Sequence, residues 1–149
     1  MAKGKLPPGL FRHLIALILT TGFVSALGVW TWAGMIVRGQ PYSLALSDQV
    51  GIDFFYKLAP FLILAIAAWL LRKSQTYFSV GWIGCGLALV FVFSVRCAFA
   101  VQNDLQNKHW TAASLDFFSG LLFQLAISIA FGFLGCAVYY MTAARRGKL

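Results

Sequence analysis

Long apolar runs separated by short polar segments dominate this chain. Residues 14–37 form a run of 24 positions without a charge, and residues 117–141 form a run of 25. A helix rises about 1.5 Å per residue and the hydrocarbon core of a bilayer is about 30 Å thick, so about 20 apolar residues are enough to cross it. Both runs therefore predict transmembrane helices.

The second apolar run, residues 58–71, is too short to cross a bilayer by itself because it has only 14 positions. We expect its helix to begin at Asp53, since a carboxylate at the N-cap accepts hydrogen bonds from the free N–H groups of the first turn. The helix then has 19 residues, with Lys57 one turn inside it near the lipid headgroups. Pro60 falls within the helix and predicts a kink there.

The third apolar run is free of charge over residues 74–95, a stretch of 22. Its pattern continues past Arg96 to Val101, which places Arg96 about one turn inside the far end of the helix. The whole pattern predicts an all-α, polytopic membrane protein, in which four transmembrane helices form an up-down bundle and a single domain. The predicted spans are 14–37, 53–71, 77–101 and 116–141.

The composition agrees with a membrane protein and excludes several other classes. Of the 149 residues, 60% are hydrophobic and 11% are charged. An average soluble domain is roughly 45–50% apolar and about 25% charged, so an ordinary soluble domain is excluded. Four spans use most of the chain, and we expect short connections between them rather than an extramembrane domain.

The first apolar run has a second interpretation. A basic leader with Lys3, Lys5 and Arg12 precedes it, and Val24-Ser25-Ala26 within it is similar to the small-residue cleavage site of a signal peptide. The apolar run continues well beyond that point, which favours a first helix that is retained.

Lysine and arginine are unevenly distributed between the two sides of the predicted bundle. The ends of the chain and the turn between the second and third spans hold eight of the 12 basic residues. The opposite side holds four, together with all 4 acidic residues. Because cytoplasmic segments retain positive charge, both termini are expected in the cytoplasm, with the chain in the inner (plasma) membrane. The net charge of +8 then reflects topology and not a nucleic-acid surface.

Arg96 is the most informative charged residue, because an ionisable side chain within a span is costly and often functional. One interpretation is a structural anchor whose long side chain reaches the interface or pairs with Asp53 or Asp116. The other is an outward-facing polar pocket for a ligand or a partner, formed by Arg96, Asp53, Asp116 and Gln124. The two aspartates also have a structural explanation as helix N-caps.

The fourth span carries small or polar residues at every fourth position, starting from Asp116. Residues at this spacing line a helix face that drifts slowly around the axis, which suits a neighbouring helix that crosses at an angle. This seam predicts close helix packing or, alternatively, a polar path through Gln124 and Ser128. Its members are Gly120, Gln124, Ser128, Gly132 and Cys136.

A short internal match raises the question of duplication. The Asp-Phe-Phe sequence at 53–55 recurs at 116–118, and an arginine, Arg38 or Arg96, precedes each copy. Two interpretations stay open at this point. The chain is built from two tandem copies of one helical hairpin, or two helix starts share the same boundary chemistry.

Two connections, residues 38–52 and 102–115, are longer than the turn between the second and third spans. Long connections tend to have structure or function of their own. Here we expect solvated loops, in which Asp48 and Asp104 face water. Residues 42–47 alternate in a strand-like manner, so a small folded cap is the alternative.

No residues typical of catalysis or of cofactor binding stand out. The three cysteines form no Cys-x-x-Cys pair, and His13 and His109 lie on opposite sides of the predicted membrane, so no redox centre, haem or metal site is expected. Nucleophile–base sets and phosphate-binding loops are also absent.

We therefore expect a protein without catalytic activity or cofactor, which acts as a binding, accessory or regulatory subunit. Its partners are the lipid bilayer and either another membrane protein or a second copy of itself. A small transporter or channel subunit is the alternative, and a membrane-permeabilising or toxin-immunity protein is the third hypothesis.

Overall fold

The computed structural model describes residues 9–73 and 77–144 of the chain. Within those ranges the chain is largely helical and has no strand. Four helices are long and apolar enough to cross a membrane, which confirms the predicted all-α fold. They cover Leu10–Arg38, Asp53–Leu70, Tyr77–Gln106 and Trp110–Met141.

The first of these helices changes its hydrogen-bonding pattern halfway along. A π-helical segment, in which each turn holds an extra residue, separates two α-helices, and Ser25 and Ala26 of this segment are completely buried. Gly39 ends the span at a φ of 64°, a left-handed conformation that glycine adopts without steric cost. The elements are α1 (Leu10–Phe23), the π segment (Val24–Val29) and α2 (Trp30–Arg38).

The connection after α2 contains a short helix, α3, which covers Tyr42–Ser47. It follows Pro41, whose φ of −63° is suited to a helix start. A lone strand here would leave its backbone groups without partners, whereas a helix pairs them internally. The strand-like prediction for residues 42–47 is therefore wrong.

The second spanning helix, α4, covers Ile52–Leu70 and runs without interruption through the buried Pro60. A 3-10 turn, Leu71–Lys73, follows it. Gly51 precedes the first helical residue, and no side chain caps the helix. The predicted N-cap at Asp53 is wrong, although Asp53 lies in the first turn, where a negative charge still interacts favourably with the helix dipole.

The last two helices, α5 (Tyr77–Gln106) and α6 (Trp110–Ala144), are joined by residues 107–109 alone. The predicted connection over residues 102–115 is wrong. Polar residues end the apolar run there, but the helices continue because the hydrogen bonds of a helix pair its backbone groups in water as well as in lipid. Asp104 is consequently helical. Asp116 is the seventh residue of α6 and not its cap, so the two Asp-Phe-Phe segments occupy different positions in their helices.

Consecutive spans pack antiparallel, as in an up-down bundle. A Cβ atom at Gly120 would lie 2.5 Å from the Cys97 sulfur, and one at Gly86 would lie 2.7 Å from the Cβ of Phe131, so α5 and α6 approach closely along much of their length. α1 and α4 meet in the same way at Gly22, where a Cβ would lie 2.9 Å from a phenylalanine of α4. Glycine allows helices to approach this closely because it has no Cβ atom.

The interior of the bundle has two halves. Near Leu71 lies a closed core that includes Ile18, Phe61, Leu64, Ile83 and Val90. The opposite end, which we call the Trp110 end, contains the last turns of α2 and α5 and the first turns of α4 and α6. Its core is smaller and consists of Trp30, Ala33, Cys97, Ala98, Val101 and Ala113.

Candidate functional site

Two of the four residues predicted to form a pocket line one groove. Arg96 on α5 and Asp116 on α6 border an open cavity of about 420 Å³ between these helices, which we call the Arg96 groove. Its other lining residues are Phe93, Cys97, Ala100, Ser119, Gly120 and Phe123. Asp53 lies outside this groove in a different cavity, and Gln124 is buried in the bundle, so the structure does not bring all four residues together.

The level of the groove is set by the close approach of α5 and α6 at Gly120. There the Cys97 thiol donates a hydrogen bond to the backbone carbonyl of Asp116 at 3.5 Å. Arg96, the neighbour of Cys97, therefore lies at nearly the same level as Asp116. Arg96 is ten residues before the end of α5 at Gln106, which is about 15 Å along the helix, so its predicted place one turn from the helix end is wrong.

The two charged side chains of the groove are exposed and separate. In the described ranges, no ion pair within 4 Å joins Arg96 or Asp116 to an oppositely charged group. The surface around them is apolar, since Val92 is 60% exposed and Phe123 is 58% exposed. The groove thus places one positive and one negative group on a face that is otherwise suited to lipid or to another helix.

The predicted seam of α6 faces both α4 and α5. Gly120 meets α5 at Cys97, whereas a Cβ at Gly132 would lie 3.1 Å from the Cβ of Ala67 on α4. Ser128 is completely buried and donates a hydrogen bond to the backbone carbonyl of Gln124 at 2.9 Å. Cys136 packs against the core near Leu71. The line of small residues therefore moves from one neighbouring helix to the next as it winds around α6.

A second cavity of about 530 Å³ lies at the Trp110 end, and we call it the Lys57 cavity. Lys57 is only 6% exposed, which corrects its predicted place among the lipid headgroups. Its ammonium group donates a hydrogen bond to Gln49 Oε1 at 2.6 Å and lies 4.1 Å from the centre of the Trp30 ring. The other polar lining residues are Arg38, Asp48, Asp53, Gln102 and Ser114.

Arg38 connects three elements at the rim of this cavity. It forms an ion pair with Asp48, which directly follows α3, at 3.6 Å and donates a hydrogen bond to Gln102 Oε1 on α5 at 3.5 Å. Gln40 donates a hydrogen bond to the Asp48 carboxylate at 3.2 Å. The charge of Arg38 is therefore compensated, and α3 is fixed against the ends of α2 and α5.

The inward orientation of Lys57 was not predicted from the sequence, although a signal for it exists. Lys57, Phe61, Leu64 and Ala68 follow at intervals of four, three and four, which is one helix face, and the three apolar members are completely buried. Trp30 was missed as well. It is 4% exposed, and its indole N–H has no acceptor among the described residues.

Residues that could hold a metal ion do not cluster in the described ranges, where no group of three His, Cys, Asp or Glu side chains occurs. The polar groups that line the two cavities are those of lysine, arginine, aspartate, glutamine, serine and cysteine.

Comparison with known proteins gives no match to a family model, to a curated protein or to a solved structure. Any function assigned to the chain therefore rests on the geometry of the Arg96 groove and of the Lys57 cavity.

Proposed function

We propose that this chain is a non-catalytic, multi-pass membrane protein that acts as a binding, accessory or regulatory subunit and meets its partner at the Arg96 groove. One observation carries the proposal: Arg96 and Asp116 are exposed, oppositely charged and unpaired within the described chain. A charged side chain in a span costs about 2.5–3.5 kcal/mol at the bilayer centre on insertion scales. A partner that supplies the opposite charge offsets this cost.

A second copy of the chain is the partner that fits the groove. Arg96 and Asp116 lie at nearly the same level, because the neighbour of Arg96 contacts the Asp116 backbone. A twofold axis along the membrane normal keeps every residue at its own depth and makes all contacts reciprocal. Arg96 of each copy then faces Asp116 of the other, so that two ion pairs form where a single copy has none.

Charge reversal tests this reciprocity. Two differently tagged copies are coexpressed and purified through one tag in mild detergent, and the second tag is quantified. We expect Arg96→Asp or Asp116→Arg, introduced in both copies, to lower co-purification at least tenfold, because like charges then face each other. Pairing an Arg96→Asp copy with an Asp116→Arg copy restores both ion pairs and is expected to restore co-purification.

The matched control is Asp104→Arg, which reverses a charge at the same end of the bundle but outside the groove. It is expected to leave co-purification unchanged. A mixture of the two single variants that stays dissociated, or wild-type copies that do not co-purify, would contradict the proposal.

The proposed location is the inner (plasma) membrane, with both termini in the cytoplasm. The support is the distribution of basic residues, since eight of 12 lie at the chain ends and in the turn after α4. The Trp110 end of the bundle then faces the outside.

A small transporter or channel subunit is the second candidate, and the buried Lys57 beside an open cavity favours it. The other half of the bundle is filled by the core near Leu71, so the Lys57 cavity does not continue through to that end of the bundle. We therefore expect no flux of inorganic ions through proteoliposomes that contain the purified protein. Flux that Lys57→Met abolishes would favour transport over the accessory role.

A further inference from the structure

The Lys57 cavity is lined by two cations, Arg38 and Lys57, and by two carboxylates, Asp48 and Asp53, but only Arg38 forms an ion pair within 4 Å in the described chain. Arg38 is paired with Asp48 at 3.6 Å. Lys57 contacts two neutral groups, the Gln49 amide oxygen and the face of Trp30, and no carboxylate lies within 4 Å of it in the described chain. Buried charges in proteins are normally paired because an uncompensated one is costly. Asp53, one turn before Lys57 on α4, lines the same cavity without coming within 4 Å of the ammonium, so Lys57 lacks a direct anionic contact.

Two hydrogen-bond donors that contact no anion lie beside each other in this cavity. The indole N–H of Trp30 is buried without an acceptor, and the Lys57 nitrogen lies 4.1 Å from the centre of the same indole ring. Both groups donate and neither accepts. An anion with two acceptor oxygens on one centre can accept from both donors at once. A carboxylate provides this with a single charge, whereas a phosphate dianion would bring a second negative charge close to Asp53, which lines the same cavity.

The remaining wall of the cavity is apolar and reaches the surface. Trp110 is 64% exposed and Phe118 is 60% exposed, while Val101 and Ala113 are buried. A volume of about 530 Å³ lies within the range of about 300–1,000 Å³ that is typical of sites for small ligands. Such a site, apolar with a few polar groups on one side, suits a molecule with a hydrocarbon body and a polar head.

We propose that the Lys57 cavity binds a carboxylate with an apolar body, whose head lies between the Lys57 ammonium and the Trp30 N–H. The body lies against the aromatic wall. This site is separate from the Arg96 groove and does not depend on association between copies. The carboxylate comes from one of two sources: an acyl chain in the membrane or a small soluble acid.

Calorimetric titration of the full chain in a neutral detergent tests the proposal. Laurate represents the membrane source, phenylacetate represents the soluble source, and dodecanol has the same chain length as laurate without the charge. We expect saturable binding of one carboxylate per chain, at least tenfold tighter for laurate than for dodecanol. The tighter of the two acids identifies the source.

Two variants measure separately what the Lys57 charge and the Trp30 N–H contribute to binding of the acid. Lys57→Met keeps a long apolar side chain but removes the ammonium, and we expect at least tenfold weaker binding of the acid. Trp30→Phe keeps an aromatic ring without the N–H, and we expect about threefold to tenfold weaker binding. Arg72→Met is the matched control, because Arg72 also stacks on a tryptophan, 4.2 Å from the Trp69 ring, but at the opposite end of the bundle.

Equal affinity for laurate and dodecanol, or unchanged acid binding by Lys57→Met, would overturn the proposal, as would no binding of either acid. Co-purification of tagged copies is measured on the same variants and is expected to be unchanged. Far-ultraviolet circular dichroism of the same variants shows that they are folded. Failure of acid binding is thereby distinguished from failure of the proposed association, which co-purification reports separately.

Discussion

Gly120→Ala is a sharp test of how closely α5 and α6 approach at the Arg96 groove. The added methyl carbon would lie 2.5 Å from the Cys97 sulfur and 3.2 Å from its Cβ. Overpacking of this kind costs about 1–3 kcal/mol. Alanine is more favourable than glycine within a helix by about 0.8–1 kcal/mol, which offsets part of this cost. We therefore expect a net loss of about 0–2 kcal/mol in the free energy of unfolding.

Cys97→Ala provides the rescue, because it removes the sulfur and leaves the Cβ at 3.2 Å as the nearest atom. In that background the overpacking against the sulfur is relieved, so Gly120→Ala is expected to stabilise the protein by about 0.8–1 kcal/mol. The coupling between the two substitutions is then about 1–3 kcal/mol. Gly84→Ala is the control for helix propensity, since a Cβ at Gly84 meets nothing within 4 Å.

The assay is reversible unfolding in mixed micelles, monitored by far-ultraviolet circular dichroism. The proteins compared are the wild type, Gly120→Ala, Cys97→Ala and their combination, which form a double-mutant cycle, together with the Gly84→Ala control. If Gly120→Ala were as stable as Gly84→Ala, or if the coupling fell below about 0.5 kcal/mol, the close contact between the two helices would be refuted.

Three further outcomes are expected from the buried contacts and the ends of the helices, and the same unfolding assay measures each. Ser25→Ala is expected to lower the free energy of unfolding by about 1–3 kcal/mol, because it leaves the buried Ser94 hydroxyl without the hydrogen bond that joins the two side chains at 2.6 Å. The double change Ser25→Ala with Ser94→Ala is expected to be nearly neutral. Gly39→Val is expected to cost at least about 1–2 kcal/mol, since a β-branched residue does not tolerate a φ of 64°; a neutral result would contradict the left-handed end of α2. Arg38→Gln is expected to cost less than about 1 kcal/mol because its ion pair with Asp48 is partly exposed, and a loss above about 2 kcal/mol would show a larger role for this contact.

The four spans were predictable from the sequence because the thickness of a bilayer demands long apolar runs. Three runs are long enough by themselves, and the second becomes long enough once its helix is extended to Asp53. The ends of the helices were not predictable. Residues 102–106 and 110–115 are polar enough to leave the membrane, yet they remain helical, since a helix pairs its own backbone whether lipid or water surrounds it. Hydropathy therefore locates a span more reliably than it locates the end of a helix.

The rotation of each helix was harder to predict, and the site depends on it. In a soluble bundle the buried face is apolar and the outer face is polar, but in a membrane both faces are apolar. Lys57 shows the consequence: its position near a span end suggests a headgroup contact, while its helical spacing with Phe61 and Leu64 places it inside.

The sequence contains a signal for the groove but none for the π segment. No local pattern predicts the π segment, in which Ser25 donates a hydrogen bond to Ser94, 69 positions later in the chain. Arg96 was singled out as a charge within a span, and Asp116 as a helix cap that could pair with it; both residues line one groove in the structure. Their separation from Gln124 and Asp53 depends on how α4, α5 and α6 are rotated, which charge alone does not determine.

Both proposed sites require that the chain crosses the membrane four times with its termini on the same side, and single-cysteine labelling tests this topology. The three native cysteines are replaced, and one cysteine is introduced either at Asn107, in the turn between α5 and α6, or at Ala144, at the end of α6. With a membrane-impermeant maleimide on intact cells, Asn107→Cys is expected to react at once, and Ala144→Cys only after the membrane is permeabilised. Labelling of both positions in intact cells, or of Ala144→Cys alone, would contradict this topology.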